Sequence, residues 1–256
     1  MNIIVCLKQV PVPDMTIRVS QDGQWIDETD MSYEMNEADA YALEAGLRLK
    51  DALGGQVLAV SVGSASARSV LVEAFAKGAD RGVLVVDESL RNADSLTVAR
   101  ALAAVISREP HDLVLTGLQS SDMGFGQTGV HVAELLGLPH ATLIVEVEAH
   151  ETSVAVKREL EGGWFQRLVL PTPALLTIQS GSNRVRYATL LGIKKARSKP
   201  VTLLTLAELG LTPSGFASYR RLYAPEKSSG ATMLSGNAME VAQRLVDVLR
   251  TEARVL

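Results

Sequence analysis

The chain has 256 residues, of which 47% are hydrophobic and 21% charged, with a formal net charge of −4. A disordered chain is excluded by that balance, and a mild acidic excess gives no global basic field for nucleic acid. The single cysteine, Cys6, excludes an internal disulfide and argues against a thiolate metal site, while the longest apolar runs fall far short of the ~20 residues a membrane-spanning helix needs.

Ile3–Leu7 is a compact apolar run, the pattern of a strand covered on both faces. A helix is expected from about Asn36, with Ala40, Leu43 and Leu47 on one face and Gly54-Gly55 as its stop. Val57–Val62 is the next buried strand, and Gly63-Ser64 lead into a helix bearing Ala67, Val70, Leu71, Ala74 and Phe75, ended by Gly78. The alternation then repeats. Val83–Val86 is a strand, Asp94 caps a helix carrying Val98, Leu102, Val105 and Ile106, 112–116 is a strand, and Gln127-Thr128-Gly129 open a helix that stops at Gly137. Such a βαβα series predicts an α/β fold with a largely parallel sheet, helices on both faces and right-handed connections.

Beyond residue 140 the helical period disappears. Strands are expected over 141–148, 153–159 and 165–170, with Glu161-Gly162-Gly163 as a hairpin turn, and again over 174–178, giving the sheet an antiparallel addition. From about Ser180 the chain changes character. Arg184, Arg186, Lys194, Lys195, Arg197 and Lys199 form a basic run, and 212–236 is rich in Ser, Gly and Pro with Phe216, Tyr219, Leu222 and Tyr223 interspersed. Such a segment is either disordered or laid on another surface. Asn237 and Glu240 resemble a capping box ahead of an amphipathic helix with Ala242, Leu245, Val246 and Leu249 on one stripe. That helix packs either on its own domain or on a partner.

Ligands of open α/β sheets bind at the carboxyl ends of the strands. The loops after Leu7, before Ala40, after Val62 and after Thr116 therefore define the candidate site. Residues 117–129 (GLQSSDMGFGQTG) are the richest: glycines permit close backbone approach, Ser120, Ser121 and Thr128 offer hydroxyls, and the free N–H groups near Gln127–Gly129 suit an anion. Asp122 can accept hydrogen bonds from a ribose or a base. The physical reading is a mononucleotide phosphate site, with an ordinary glycine-rich loop as the plain alternative. It is neither a Walker A motif nor a G-x-G-x-x-G after the first strand. His111, His131, His140 and His150 lack metal-ligand spacing, no G-x-S-x-G elbow exists, and Cys6 reads as a small core residue. Trp25 and Trp164, beside turn signals, read as core or rim packing. No catalytic group and no metal site are expected.

The chain resembles the beta subunits of the electron transfer flavoproteins over nearly its whole length. The resemblance rests on five stretches in order: Ile4–Pro11 (IVCLKQVP), Asn36–Ala40 (NEADA) with Glu44–Lys50 (EAGLRLK), Ala76–Gly82 (AKGADRG), Gly117-x-Gln119-x-x-Asp122 with Gln127-Thr128-Gly129, and Arg186–Leu190 (RYATL) followed by Ile193–Ala196 (IKKA). It implies an adenine nucleotide alpha hydrolase-like α/β fold with an extended C-terminal arm. It divides the chain into a nucleotide-binding domain over 1–190 and, over 191–256, a recognition segment, arm and terminal helix that dock on an alpha subunit. The implied function is an electron carrier, not an enzyme, passing electrons from dehydrogenases to an acceptor as a heterodimer. FAD is held mainly by alpha, and AMP, or a second FAD in electron-bifurcating members, lies in beta. The implied nucleotide pocket comprises Cys6, Asn36, Glu37, Ala38, Asp39, Val62, Asp122, Met123, Gly124, Phe125, Gly126, Gln127, Thr128 and Gly129. Leu190 is the implied anchor for dehydrogenase partners, flanked by Lys194 and Lys195. A cytoplasmic protein is expected, without nucleic-acid binding or membrane insertion. In departure from the family, Met123–Gly126 stand where many members have further acidic residues, and Leu191-Gly192 replace a commoner Pro-containing step. An adenylate-forming or ATP-pyrophosphatase enzyme would need a Ser-Gly-rich phosphate loop where Lys8–Pro11 stand, and a stand-alone AMP-sensing module would leave the long arm unexplained.

Overall fold

The computed structural model describes residues 1–90, 92–212, 215–225 and 231–256; the Ser/Gly/Pro-rich stretch noted above thus lies partly outside the described residues. The described chain divides into two compact units, Met1–Leu222 and Tyr223–Leu256.

In the first unit the strands are β1 (Asn2–Cys6), β2 (Gln9–Pro11), β3 (Tyr33–Met35), β4 (Gln56–Gly63), β5 (Arg81–Val86), β6 (Leu113–Gly117), β7 (His140–Ala149), β8 (Ser153–Glu159), β9 (Phe165–Pro171), β10 (Ala174–Ile178) and β11 (Thr202–Leu204). The helices are α1 (Glu37–Leu53), α2 (Arg68–Lys77), α3 (Ser95–Ile106), α4 (Thr128–Leu136) and α5 (Leu190–Ala196). Nine strands form one sheet in the order β11-β5-β4-β1-β6-β10-β7-β8-β9. Pairing is parallel from β11 to β7 and antiparallel for β7-β8-β9. The expected mixed sheet is therefore present.

Alternation along β1 explains the two layers. Ile3 and Val5 point to the face covered by α1 and α2, where Leu43, Leu47, Val70, Leu71 and Phe75 pack. Ile4 and Cys6 point to the opposite face, against Leu102, Val105 and Ile106 of α3 and Val132 and Ala133 of α4. Both faces being covered, β1 is apolar throughout and shows no alternation in sequence. After β1 the chain moves outward through β4 and β5 and then crosses back to β6 on the other side of β1. That reversal opens a crevice at the carboxyl ends of β1 and β6.

Helix ends follow the local chemistry. The Asp94 carboxylate caps α3 by accepting from the Thr97 N–H, and Gly54, Gly78 and Gly137, all at positive φ, end α1, α2 and α4. Three short elements have no periodic signal in the sequence: the β2-β3 ribbon, α5 and the edge strand β11.

The division after Leu222 lies well beyond the boundary placed at 190/191. The reason is packing. Ala196 of α5 is fully buried in the cluster that holds Ala74 and Phe75 of α2, a Cβ on Gly192 would collide with the Ala76 carbonyl, and β11 pairs with β5. In the second unit, α6 (Ala238–Thr251) has the expected capping box: Asn237 accepts from the Met239 and Glu240 N–H groups while Glu240 accepts from the Asn237 N–H. No residue of α6 is buried. Among the described residues no helix is long and apolar enough to cross a membrane.

Candidate functional site: a nucleotide-sized cavity at the switch point

A cavity of about 520 Å³ lies at the carboxyl ends of β1, β4 and β6, entirely within the first unit. Its walls come from the loops after those strands and from the N-terminal turns of α1, α3 and α4. Of the residues expected to hold a nucleotide, Cys6, Asn36, Asp39, Val62, Asp122, Met123 and Phe125–Gly129 line this cavity. Glu37, Ala38 and Gly124 do not line it. Glu37 is exposed on the first turn of α1, Ala38 is buried beneath the β6 end, and Gly124 sits exposed at a left-handed bend with φ of 65°.

The first turn of α1 ties the two central loops together. One Asp39 carboxylate oxygen accepts from the Lys8 N–H (2.7 Å) and the other from the Gly117 N–H (2.9 Å). Asn36 donates to the Gln119 carbonyl (3.0 Å) and accepts from the Ser121 N–H (3.1 Å). Gly117 is required by this approach, since a Cβ there would collide with Asp39 and the Ala38 backbone. Burial pushes the Asp39 carboxyl up to about 6, against the opposing pull of those hydrogen bonds. Burial, and next the charge of Asp39, pushes the Cys6 thiol up to about 12, so Cys6 is a neutral wall residue and not a nucleophile.

At the far wall, α4 begins at Gln127 with no side chain capping it, and Gln127, Thr128 and Gly129 face the cavity. A helix start without a side-chain cap, with its positive end, has the chemistry to receive an anion. Ser64, Ser95, Ser120 and Ser121 add polar lining. On the rim, the Lys8 ammonium holds both Asp122 oxygens at 2.7 Å and the Ser120 hydroxyl at 3.2 Å.

The roof is a feature that sequence reasoning missed. Trp25 and Tyr219 line the cavity with ring centroids 5.6 Å apart, and the Tyr219 hydroxyl donates to Met123 Sδ (3.0 Å). Trp25 is held by a bridge between Val19 and Ile26 and donates its indole N–H to Glu28. The segment carrying Tyr219 is pinned at one end by Asp94, whose second oxygen accepts from the Phe216 and Ala217 N–H groups, and at the other by the Leu222 N–H on the Gly23 carbonyl (2.8 Å). Burial opposes ionisation of Asp94, but these backbone donors outweigh it and hold its carboxyl at about 2. The signal available in the sequence was weak: aromatics in two aperiodic stretches nearly 200 residues apart.

The implied docking residues are elsewhere. Leu190, Lys194 and Lys195 lie on α5, with Leu190 89% exposed and both lysines exposed.

The arrangement suits an adenosine phosphate: glycine-lined backbone, an uncapped helix start and hydroxyls around one cavity. The family model of the electron transfer flavoprotein domain matches residues 24–209. This chain belongs to the electron transfer flavoprotein family. The following relatives match over nearly the whole of this chain. It is 37% identical to the electron transfer flavoprotein subunit beta of Methylophilus methylotrophus, covering 97% of this chain and 98% of that protein. Identity to the Bacillus subtilis subunit beta is 33%, covering 100% of each. A relative of different name, the acryloyl-CoA reductase electron transfer subunit gamma of Anaerotignum propionicum, is also 33% identical over 97% of this chain. As a member of the electron transfer flavoprotein family, the chain functions in electron transfer.

Proposed function

We propose that this chain is the beta subunit of an electron transfer flavoprotein heterodimer, that it holds AMP in the 520 Å³ cavity, and that it completes the site of a flavin carried mainly by an alpha subunit. The observation that carries the nucleotide reading is the uncapped N-terminus of α4 facing a cavity at the strand-order reversal. The phosphate would rest on Thr128 and Gly129. Asn36 and Asp39 would shape the pocket through the loops they tie, and Asp122 would hold the ribose or base side. The flavin, when bound, supplies the one- and two-electron chemistry; the protein supplies position and electrostatics. The chain itself therefore acts as a carrier subunit and not as an independent enzyme.

The arm beyond Leu222 is the proposed alpha-subunit contact. α6 exposes Met239 at 81%, Leu245 at 46% and Val246 at 38%, and none of its residues is fully buried. Leu190, with Lys194 and Lys195 beside it, is the proposed anchor for dehydrogenase partners. A single buried free cysteine suits a reducing compartment, and the cytoplasm is the proposed location.

A second reading, a second FAD in the same cavity, is favoured by the aromatic pair Trp25 and Tyr219 in the lining, on which a flat ring system can stack. One experiment decides. The chain is co-expressed with an electron transfer flavoprotein alpha subunit, the yellow complex is purified and denatured, and flavins and adenosine phosphates are counted. One flavin and one AMP per complex supports the first reading, and two flavins the second. A colourless product with neither overturns both.

A further inference from the structure

The middle of α1 carries a polar cluster remote from the cavity. Glu44, 4% exposed at its side chain, accepts from Arg48 Nε (2.8 Å), Arg186 Nε (2.8 Å) and the Arg186 backbone N–H (3.1 Å). Arg186 reaches on to Asp51 (2.9 Å), and Arg48 donates to the Arg184 carbonyl (2.8 Å). One step upstream, the Asn183 amide donates to the Tyr41 carbonyl (3.0 Å). Tyr41, Glu44, Arg48 and Asp51 are spaced by three, four and three residues, so they form one stripe of the helix. That stripe holds residues 183–186, a stretch with no helix or strand of its own.

Immediately afterwards the chain displays large apolar side chains to solvent: Tyr187 is 91% exposed, Leu190 89% and Leu191 60%. The carboxylate of Glu44 is expensive to bury, and a buried ion pair returns little net stability for that cost. What it does return is a fixed geometry, because the Arg186 fork and backbone amide are both read by one carboxylate. An exposed segment held in its bound conformation beforehand loses less freedom on association.

We propose that Glu44 is a positioning residue which, through Arg186, fixes residues 187–191 in the conformation that docks the electron-donating dehydrogenase. The inference rests on the reading of Leu190 as the docking anchor. Arg48 on Glu44 and Asp51 on Arg186 complete the charged cluster.

The test uses the full chain co-expressed with an alpha subunit, and a flavin-dependent dehydrogenase that reduces the wild-type complex. Glu44→Gln keeps the shape and removes the charge; Arg186→Lys keeps the charge and removes the fork. In both, the KM for the complex as electron acceptor is expected to rise roughly tenfold with kcat, flavin content and nucleotide content unchanged, the cost of ordering a few side chains on docking. Tryptic cleavage after positions 184 and 186 is expected to accelerate. Leu190→Ala serves as the control: if its KM stays at the wild-type value, the docking reading itself fails. If Leu190→Ala raises KM while both cluster variants leave it unchanged, the positioning role is overturned. Should Glu44→Gln lose its cofactors, Arg186→Lys decides alone, by a raised KM with cofactors intact or by no change.

Discussion

Helices α3 and α6 are built alike and used differently. Each is amphipathic, and each is opened by a side-chain cap, Asp94 in one and Asn237 in the other. Helix α3 buries Thr97, Ala99, Leu102, Val105 and Ile106 against the sheet, whereas no residue of α6 is fully buried. An apolar stripe therefore specifies a helix but not its burial. Burial needs a complementary surface: the sheet supplies one to α3, and the proposed alpha subunit would supply one to α6.

The contrast can be broken most directly by core truncation. Ile106→Ala in α3 should cost about 4 kcal/mol in urea unfolding of the isolated chain, while Leu245→Asp in α6 should stay within about 0.5 kcal/mol of wild type. Leu245→Asp should nonetheless abolish co-purification of the alpha subunit. Equal destabilisation by the two would show that α6 is buried in its own chain.

A second effect belongs to the cavity side alone. Asp39 has its carboxyl raised to about 6. Below about pH 4 it is protonated in both folded and unfolded chains. Between that pH and 6 the folded chain keeps a proton that the unfolded chain has released, so stability is lost as pH rises, by about 3 kcal/mol in the limit. Unfolding measured from pH 4 to 7 should show this slope in wild type and lose it in Asp39→Asn; an identical slope in the variant would assign it to other groups.

Gly117→Ala should cost about 2 kcal/mol and release the proposed nucleotide, because the methyl displaces the α1 turn that ties the loops. Thermal melts and nucleotide content measure both, and a variant that melts like wild type and keeps its nucleotide would show that the approach is not tight. The smallest pair sharpens the comparison of the caps. Asp94→Ala should cost about 1–2 kcal/mol and weaken nucleotide retention, since Asp94 also pins the Tyr219 segment. Asn237→Ala should cost about 1 kcal/mol of helix stability and leave retention untouched. Loss of nucleotide in Asn237→Ala would contradict that division of roles.

The parallel core was legible because its strands are apolar on both faces and its helices carry a clean 3.6-residue stripe. Even the capping residues Asp94 and Asn237 could be read in advance. The β2-β3 ribbon, α5 and the edge strand β11 could not. Strand β11 exists because β5 offers it an edge, and α5 because Gly192 lets it approach Ala76. The loop after β6 could be read from its glycines and hydroxyls as a candidate phosphate site, and the structure places it in the cavity wall. The roof could not be read, because Trp25 and Tyr219 meet only when two aperiodic segments cross.

The sequence by itself determined the alternating α/β layers, the loops at the strand ends and the resemblance to electron transfer flavoproteins, all consequences of local period and local motif. Only the tertiary structure decided which of those loops share a cavity, that Asp39 bridges two of them, and that α5 belongs to the first unit. Those outcomes depend on pairings between residues far apart in the chain, and side-chain periodicity carries no record of them.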